Sequence, residues 1–368
     1  MTTNATPAPT ATLPTILERH IRSKEGHDLT DCEDSFVVTD HHCCVIDGAT
    51  SPTGRRWTDE QIKGGKWAAN VLSDAVRTLP PESTPTESVR LLSHSIQEAY
   101  HNLGETVQEM VRAHPEERAT ASMICYSTRR RELFWVGDCQ ALVLDVNGKT
   151  VKTIQPQKHN DVVMAQARAM MLHIERIMTI QAATTTTTTT SCSRTEIAST
   201  NHRATLVSSQ QEDPASLAPS PLSLAVDRLH ESANASNNSN SNNNNNDIGR
   251  ALIRPLLLGQ RLFQNNPLAP EPYRYWALDG FPIEEEGIGS YTLPLEAHEI
   301  VLASDGYPVL FRTLKETEEH LDDILQKDAS LVGPSYLSTK GVRNGAESFD
   351  DRTYLRFIVG DAATDDES

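Results

Sequence analysis

Strand-like runs in this chain come in groups, and the stretches with helical period fall between the groups rather than between every pair. Short apolar, β-rich runs lie at 35–38, 43–46, 119–126, 132–136, 141–145, 274–277, 291–293, 299–303 and 353–359. Apolar residues at three- and four-residue steps predict a helix over 60–79, with Ala68, Leu72, Ala75, Val76 and Leu79 on one face. The same spacing predicts one longer helix over 85–113, carrying Val89, Leu92, Ile96, Ala99, Leu103, Val107 and Met110 and ended by Pro115. Further helices are expected over 160–180, over 247–263 with Pro255 able to kink or split it, and over 314–327. Strands, two helices, strands, helices, strands is not the alternation of a βαβ repeat. It predicts an α+β chain, a mixed sandwich with helices packed outside.

Composition sets the limits of that domain. Residues 1–13 are Thr/Ala/Pro-rich and uncharged, and 182–246 hold a seven-Thr run from Thr184 to Thr190, a Ser/Pro-rich stretch and an Asn/Ser tract. Such tracts bury too little apolar surface to offset their ordering entropy, so both are expected to be disordered. The expected organisation is a tail at 1–13, one domain over 14–360 interrupted by the insert at 182–246, and an acidic tail at 361–368. Roughly 290 residues then remain, enough for a sizeable core. A net charge of −17 argues against nucleic acid or an anionic membrane as partner and suits cation binding. No apolar run is long enough to span a bilayer, and the start lacks a secretory signal. The six cysteines, none in a C-x-x-C pair, read as reduced thiols of an intracellular protein, cytoplasmic or nuclear. A monomer is the default expectation.

Acidic motifs adjoin the apolar runs: Glu33-Asp34, Asp47-Gly48, Gly137-Asp138, Asp305-Gly306 and Asp350-Asp351. The first two admit a geometric test. Between 35–38 and 43–46 the polar Thr39-Asp40-His41-His42 reads as a hairpin turn. If it centres on Asp40 and His41, opposed residues have numbers summing to 81. Asp34 then faces Asp47 and Glu33 faces Gly48, with opposed Cβ atoms ~5 Å apart. Carboxylates that close repel, and a divalent cation removes the cost. Oxygen ligands without a His or Cys cluster favour Mg²⁺ or Mn²⁺. Any one Asp-Gly is more often a turn than a ligand; the discriminating feature is the ordered set.

Taken together, Cys32-Glu-Asp-Ser-Phe, Val45-Ile-Asp-Gly-Ala-Thr, Ala119-Thr-Ala-Ser, Trp135-Val-Gly-Asp-Cys, Val301-Leu-Ala-Ser-Asp-Gly and Asp350-Asp-Arg-Thr resemble the type 2C (PPM) family of metal-dependent serine/threonine protein phosphatases. The resemblance covers roughly residues 30–360 and marks a divergent branch. It implies a central antiparallel β-sandwich flanked by helices on both faces. It also implies two Mg²⁺ or Mn²⁺ ions, with Asp47 bridging both, the Gly48 carbonyl and Glu33 contributing, and Asp305 and Asp350 holding the first. Asp34 would orient the attacking water, and Asp138 with Asp305 would hold a third ion. Phosphoserine or phosphothreonine in proteins would be hydrolysed directly.

Three departures qualify this. Leu29 stands where many members carry an arginine for the substrate phosphate, which leaves Lys24, Arg55 and Arg56 as replacements or as solvated charges. Val309 stands where some members have an aspartate, which puts the third ion in doubt. Ala49-Thr50 replaces the usual His and Gly. Outside these motifs, Asp279-Gly280 reads as a turn, Arg250 as a helix surface charge in preference to a substrate-side cation, and Cys139 as a packed thiol. A catalytically silent binding or scaffold protein and a phosphatase of a small metabolite remain as alternatives.

Overall fold

A computed structural model describes residues 13–191 and 247–360; the expected tails, and the insert from 192 onward, lie outside the described residues. Two five-stranded antiparallel sheets carry the fold. The first orders its strands β1 (Thr15–Arg22), β12 (Arg352–Ile358), β11 (Glu299–Ala303), β8 (Gln140–Leu144), β9 (Thr150–Ile154). The second runs β10 (Gly289–Thr292), β7 (Glu132–Val136), β6 (Ala121–Ser127), β3 (His42–Gly48), β2 (Ser35–Val38). A small ribbon pairs β4 (Arg56–Trp57) with β5 (Ile62–Lys63).

Side-chain alternation along the strands sorts the core into three layers. Cys43, Val45, Ile124, Tyr126 and Leu133 of the second sheet meet Ala141, Val143, Ile300, Leu302, Leu355 and Phe357 of the first. The other face of the second sheet, with Cys44, Ile46, Met123, Cys125 and Phe134, packs on helices α1 (Gly64–Arg77) and α2 (Pro85–Asn102). On the far side, Leu142, Val301, Ala303 and Tyr354 pack on Leu321 and Ile324 of α7 (Leu314–Lys327). The expected α+β sandwich with helices on both faces is what the chain forms. Central strands buried on both faces are why 43–46 and 299–303 read as unbroken apolar runs.

Several elements differ from expectation. The predicted helix over 85–113 is two, α2 and α3 (Glu105–Ala113), divided at Gly104 with φ 107°. The segment 247–263 splits at Ile253 into α5 (Ile248–Leu252), α6 (Arg254–Gly259) and a 3-10 turn (Gln260–Phe263), with Pro255 in the first turn of α6. Within 274–277 only Tyr275 makes an isolated bridge, to Gln264, and no strand forms. Helix α4 (His159–Ser191) carries helical backbone through Thr184–Thr190. The expectation of six reduced thiols is corrected at one pair: Cys44 and Cys125 are joined by a disulfide, because β3 and β6 place them directly opposite with Cα atoms 4.1 Å apart. No helix among the described residues is long and apolar enough to cross a membrane.

Candidate functional site

The hairpin register is the predicted one: Ser35 faces Ile46, Phe36 faces Val45 and Val37 faces Cys44. Past the last strand pair, the Gly48 amide donates to the Glu33 carbonyl at 3.2 Å. The same end of β3 lies against the start of α1. A Cβ on Gly48 would stand 2.4 Å from the Gly65 carbonyl, and one on Gly65 would stand 2.7 Å from Glu33 Oε1, so only glycine at both positions permits this approach. Gly137, at φ 88°, turns the chain from β7 into Asp138, with its Cα face pressed on Ser122.

Strand ends from both sheets bring the acids together. Asp47, Asp138 and Asp305 each place one carboxylate oxygen within 4.8 Å of the others. Burial, then the neighbouring carboxylates, push the Asp47 and Asp305 carboxyls well above the ordinary aspartate range. Asp34, buried, is pushed up by the same desolvation and by Asp351, and its Oδ2 has no partner. Glu33, 1% exposed, also has a partnerless buried Oε1, while its Oε2 accepts from Thr50 Oγ1 at 2.6 Å. Asp350 lines the same cavity as Asp47, Asp138 and Asp305.

Three of these acids carry a lysine: Asp138, Asp350 and Glu33. Lys158 Nζ lies 2.8 Å from Asp138 Oδ2, and Ser122 Oγ donates to Asp138 Oδ1 at 2.6 Å. Lys340 pairs with Asp350 Oδ2. Burial would raise both carboxyls, but the ammonium groups prevail and hold them below their ordinary value, Lys158 for Asp138, Lys340 and Lys24 for Asp350. Asp138 therefore already has one cation beside it. Asp351 fixes the loop below: it accepts from the amides of Lys24 at 2.8 Å and Glu33 at 2.9 Å.

None of the three cations expected to face a substrate phosphate lines this cavity. Lys24 is buried with its ammonium between Glu33, Asp350 and Asp351, at 3.5, 3.7 and 3.2 Å. Arg55 is exposed and paired with Glu117, and Arg56 donates to the Gln61 carbonyl at 2.7 Å. The cationic groups that do line it are Lys158, Lys340, Arg250 and Arg261, with Asp161 among them. Arg250 is thus on the cavity wall rather than on an outer helix surface. Asp279 is more than a turn residue: it is fully buried and bound by Arg118, Gln264 and Asn265. Cys139 is packed, with its thiol pushed up by burial.

A cavity of about 450 Å³ results, open to solvent and acidic on one part of its wall. Paired hard oxygen ligands there suit Mg²⁺ or Mn²⁺. Glu33 and Asp34 are not on the cavity wall, but their partnerless oxygens, with the unpaired Asp47 and Asp305 on it, fit such ions. No family model and no curated protein matches the chain. Solved structures to which it is similar include RsbX in complex with magnesium, at 11% identity and TM-score 0.35, covering 95% of this chain and 100% of that one. They include the Mycobacterium tuberculosis serine/threonine phosphatase PstP/Ppp, at 13% identity and TM-score 0.36, covering 94% and 99%. The Staphylococcus aureus serine/threonine phosphatase Stp1 is similar at 11% identity and TM-score 0.38, covering 96% and 98%. At these scores the likeness adds no weight to the site, which stands on its own geometry.

Proposed function

We propose that this chain hydrolyses phosphate monoesters with divalent metal ions, and that phosphoserine or phosphothreonine in proteins is its substrate class. The observation that carries the reading is the convergence of Asp47, Asp138 and Asp305 within 4.8 Å, drawn from the ends of three strands in two sheets. Lys158 offsets Asp138, but Asp47 and Asp305 still repel each other and their neighbours at a cost in stability, which a pair of Mg²⁺ or Mn²⁺ ions would remove. Asp47, Asp305, Asp350, Glu33 and the Gly48 carbonyl would hold them. When bound, such ions lower the pKa of water and neutralise charge on a phosphoryl group. Asp34, with its partnerless buried oxygen, would orient the attacking water. Lys158 keeps Asp138 compensated without a third ion.

Phosphate release from a phosphopeptide, an aryl phosphate and a panel of small phosphorylated metabolites, with and without Mn²⁺, tests this. Turnover should require metal, fastest on the peptide, and Asp47→Asn should reduce it to the metal-free blank. No metal-stimulated release from any substrate would reject it. A second reading, a catalytically silent phosphatase-like binding protein, is favoured by the lysines already seated on Asp138 and Asp350. Calorimetric Mn²⁺ binding with no turnover would favour this second reading, and no Mn²⁺ binding at all would favour a purely structural role.

A further inference from the structure

Arg168, Arg352 and Arg118, none of them on the cavity wall, pair with carboxylates, whereas the guanidinium of half-buried Arg131 bonds only the carbonyls of Gly360 and Ala297. Arg168 lies 2.8 Å from Asp247, Arg352 2.8 Å from Glu318, and Arg118 3.3 Å from Asp279. The two arginines on the cavity wall do not. Among the described residues, neither guanidinium, of Arg250 or of Arg261, comes within ion-pair distance of a carboxylate, and both guanidiniums hydrogen-bond only to neutral groups. Arg261, 5% exposed, donates through one terminal nitrogen to Thr120 Oγ1 at 2.9 Å and Gln264 Oε1 at 2.6 Å. Its Nε is buried with no partner. Arg250, half-buried, donates to the Thr339 carbonyl at 3.1 Å and hydroxyl at 3.3 Å. Burial holds its guanidinium below the ordinary value.

A desolvated guanidinium with no carboxylate in contact is costly; Asp350, Asp247 and Asp161 lie near enough to Arg250 to offset part of that cost, and an anionic ligand is the ordinary compensation for the rest. Both groups are wired to the acidic part of the wall. Arg261 bonds Thr120, whose carbonyl accepts from Ala49 at 2.9 Å, two residues past Asp47. Arg250 bonds Thr339, next to the Lys340 that holds Asp350. Fork-shaped guanidiniums bind tetrahedral oxyanions through paired N–H groups.

We propose that Arg250 and Arg261 are the phosphate-binding residues of this cavity, gripping the non-bridging oxygens of a phosphate monoester whose phosphorus faces the carboxylates. That a monoester is the ligand rests on the function proposed above; that the pair binds a phosphate oxyanion does not. The two arginines take the part that Leu29 cannot and that Lys24, Arg55 and Arg56 are placed away from.

Inorganic phosphate is the probe, titrated calorimetrically into the full chain with Mn²⁺ and again with chelator. Arg250→Gln and Arg261→Gln should each weaken phosphate binding at least tenfold, Arg250→Lys less, and Arg55→Gln not at all. Because Arg261 also braces Thr120 and Gln264, its variant is read only if its circular dichroism matches the wild type; Arg250→Gln decides the matter alone otherwise. Phosphate binding lost in the variants supports the clamp even in a protein that turns over nothing. Turnover by a protein whose inhibition by phosphate is unchanged in Arg250→Gln overturns the clamp and leaves the hydrolase standing. Wild-type protein that binds no phosphate under either condition overturns it as well.

Discussion

A methyl group at Gly65 would meet the Gly48 carbonyl carbon at 2.5 Å and Glu33 Oε1 at 2.7 Å, so the junction of β3 and α1 has no room to give. Gly65→Ala should cost about 1–3 kcal/mol of overpacking, read from the denaturant midpoint, and weaken Mn²⁺ binding by displacing Glu33. His42 offers a test by pH. Burial, then the neighbouring His41, push its imidazole down to about 4. The unfolded chain takes up that proton near pH ~6.5, so between there and about 4 the unfolded state binds more protons and stability falls as pH drops. Below about 4 both states are protonated and the loss stops. His42→Gln should flatten that stretch of the midpoint-against-pH curve; an unchanged slope would assign it to other groups. The acids of the site were legible in the sequence because each adjoins an apolar run. Lys158, Lys340 and Arg261 were not, since each lies in a segment whose position over the cavity depends on distant packing. The sequence singles out Arg250 but not its place on the cavity wall, because a short helix shows no outer face until its neighbours are known.

Among the elements, central strands announced themselves and polar edge strands did not. Strand β1, TILERHIR, and β9, TVKTI, sit at the two edges of the first sheet and mix charged with apolar residues, so an apolar-run criterion passes over both. The 85–113 period survives the break at Gly104 because α2 and α3 both turn apolar residues to the same core: Val89, Leu92 and Ile96 from one, Val107 and Met110 from the other. Gly104 itself was the missed signal. At φ 107° and ψ 164° it occupies backbone space reserved for glycine, yet a Cβ there would touch nothing within 4 Å. Gly104→Ala should therefore cost about 1–3 kcal/mol from backbone strain alone, with no change in Mn²⁺ binding. A neutral result by chemical denaturation would mean that the α2–α3 joint relaxes freely.

At the scale of the molecule, one buried ion pair ties the helices over the cavity to the loop beneath them. Arg168 of α4, 2% exposed, reaches Asp247 at 2.8 Å and the carbonyls of Ser330 and Ser338 at 2.8 and 3.1 Å. Asp247 in turn caps α5 through the Arg250 amide at 2.9 Å and accepts from Gly341 at 2.9 Å. Three segments distant in sequence thus share one carboxylate, and two of them carry the cavity residues Arg250 and Lys340. Arg168→Met leaves Asp247 charged, half-buried and without its cation, which costs at most about 3–5 kcal/mol. The sandwich does not depend on this pair, so the loss should be local. Hydrogen exchange should quicken in 247–259 and 328–341 while β3 and β6 stay protected. Phosphate affinity should fall with the ordering of Arg250, and Mn²⁺ affinity should hold. Adding Asp247→Asn should recover part of the stability, since it removes the stranded charge. If exchange instead quickens evenly across both sheets, the pair supports the whole fold rather than the roof of the cavity.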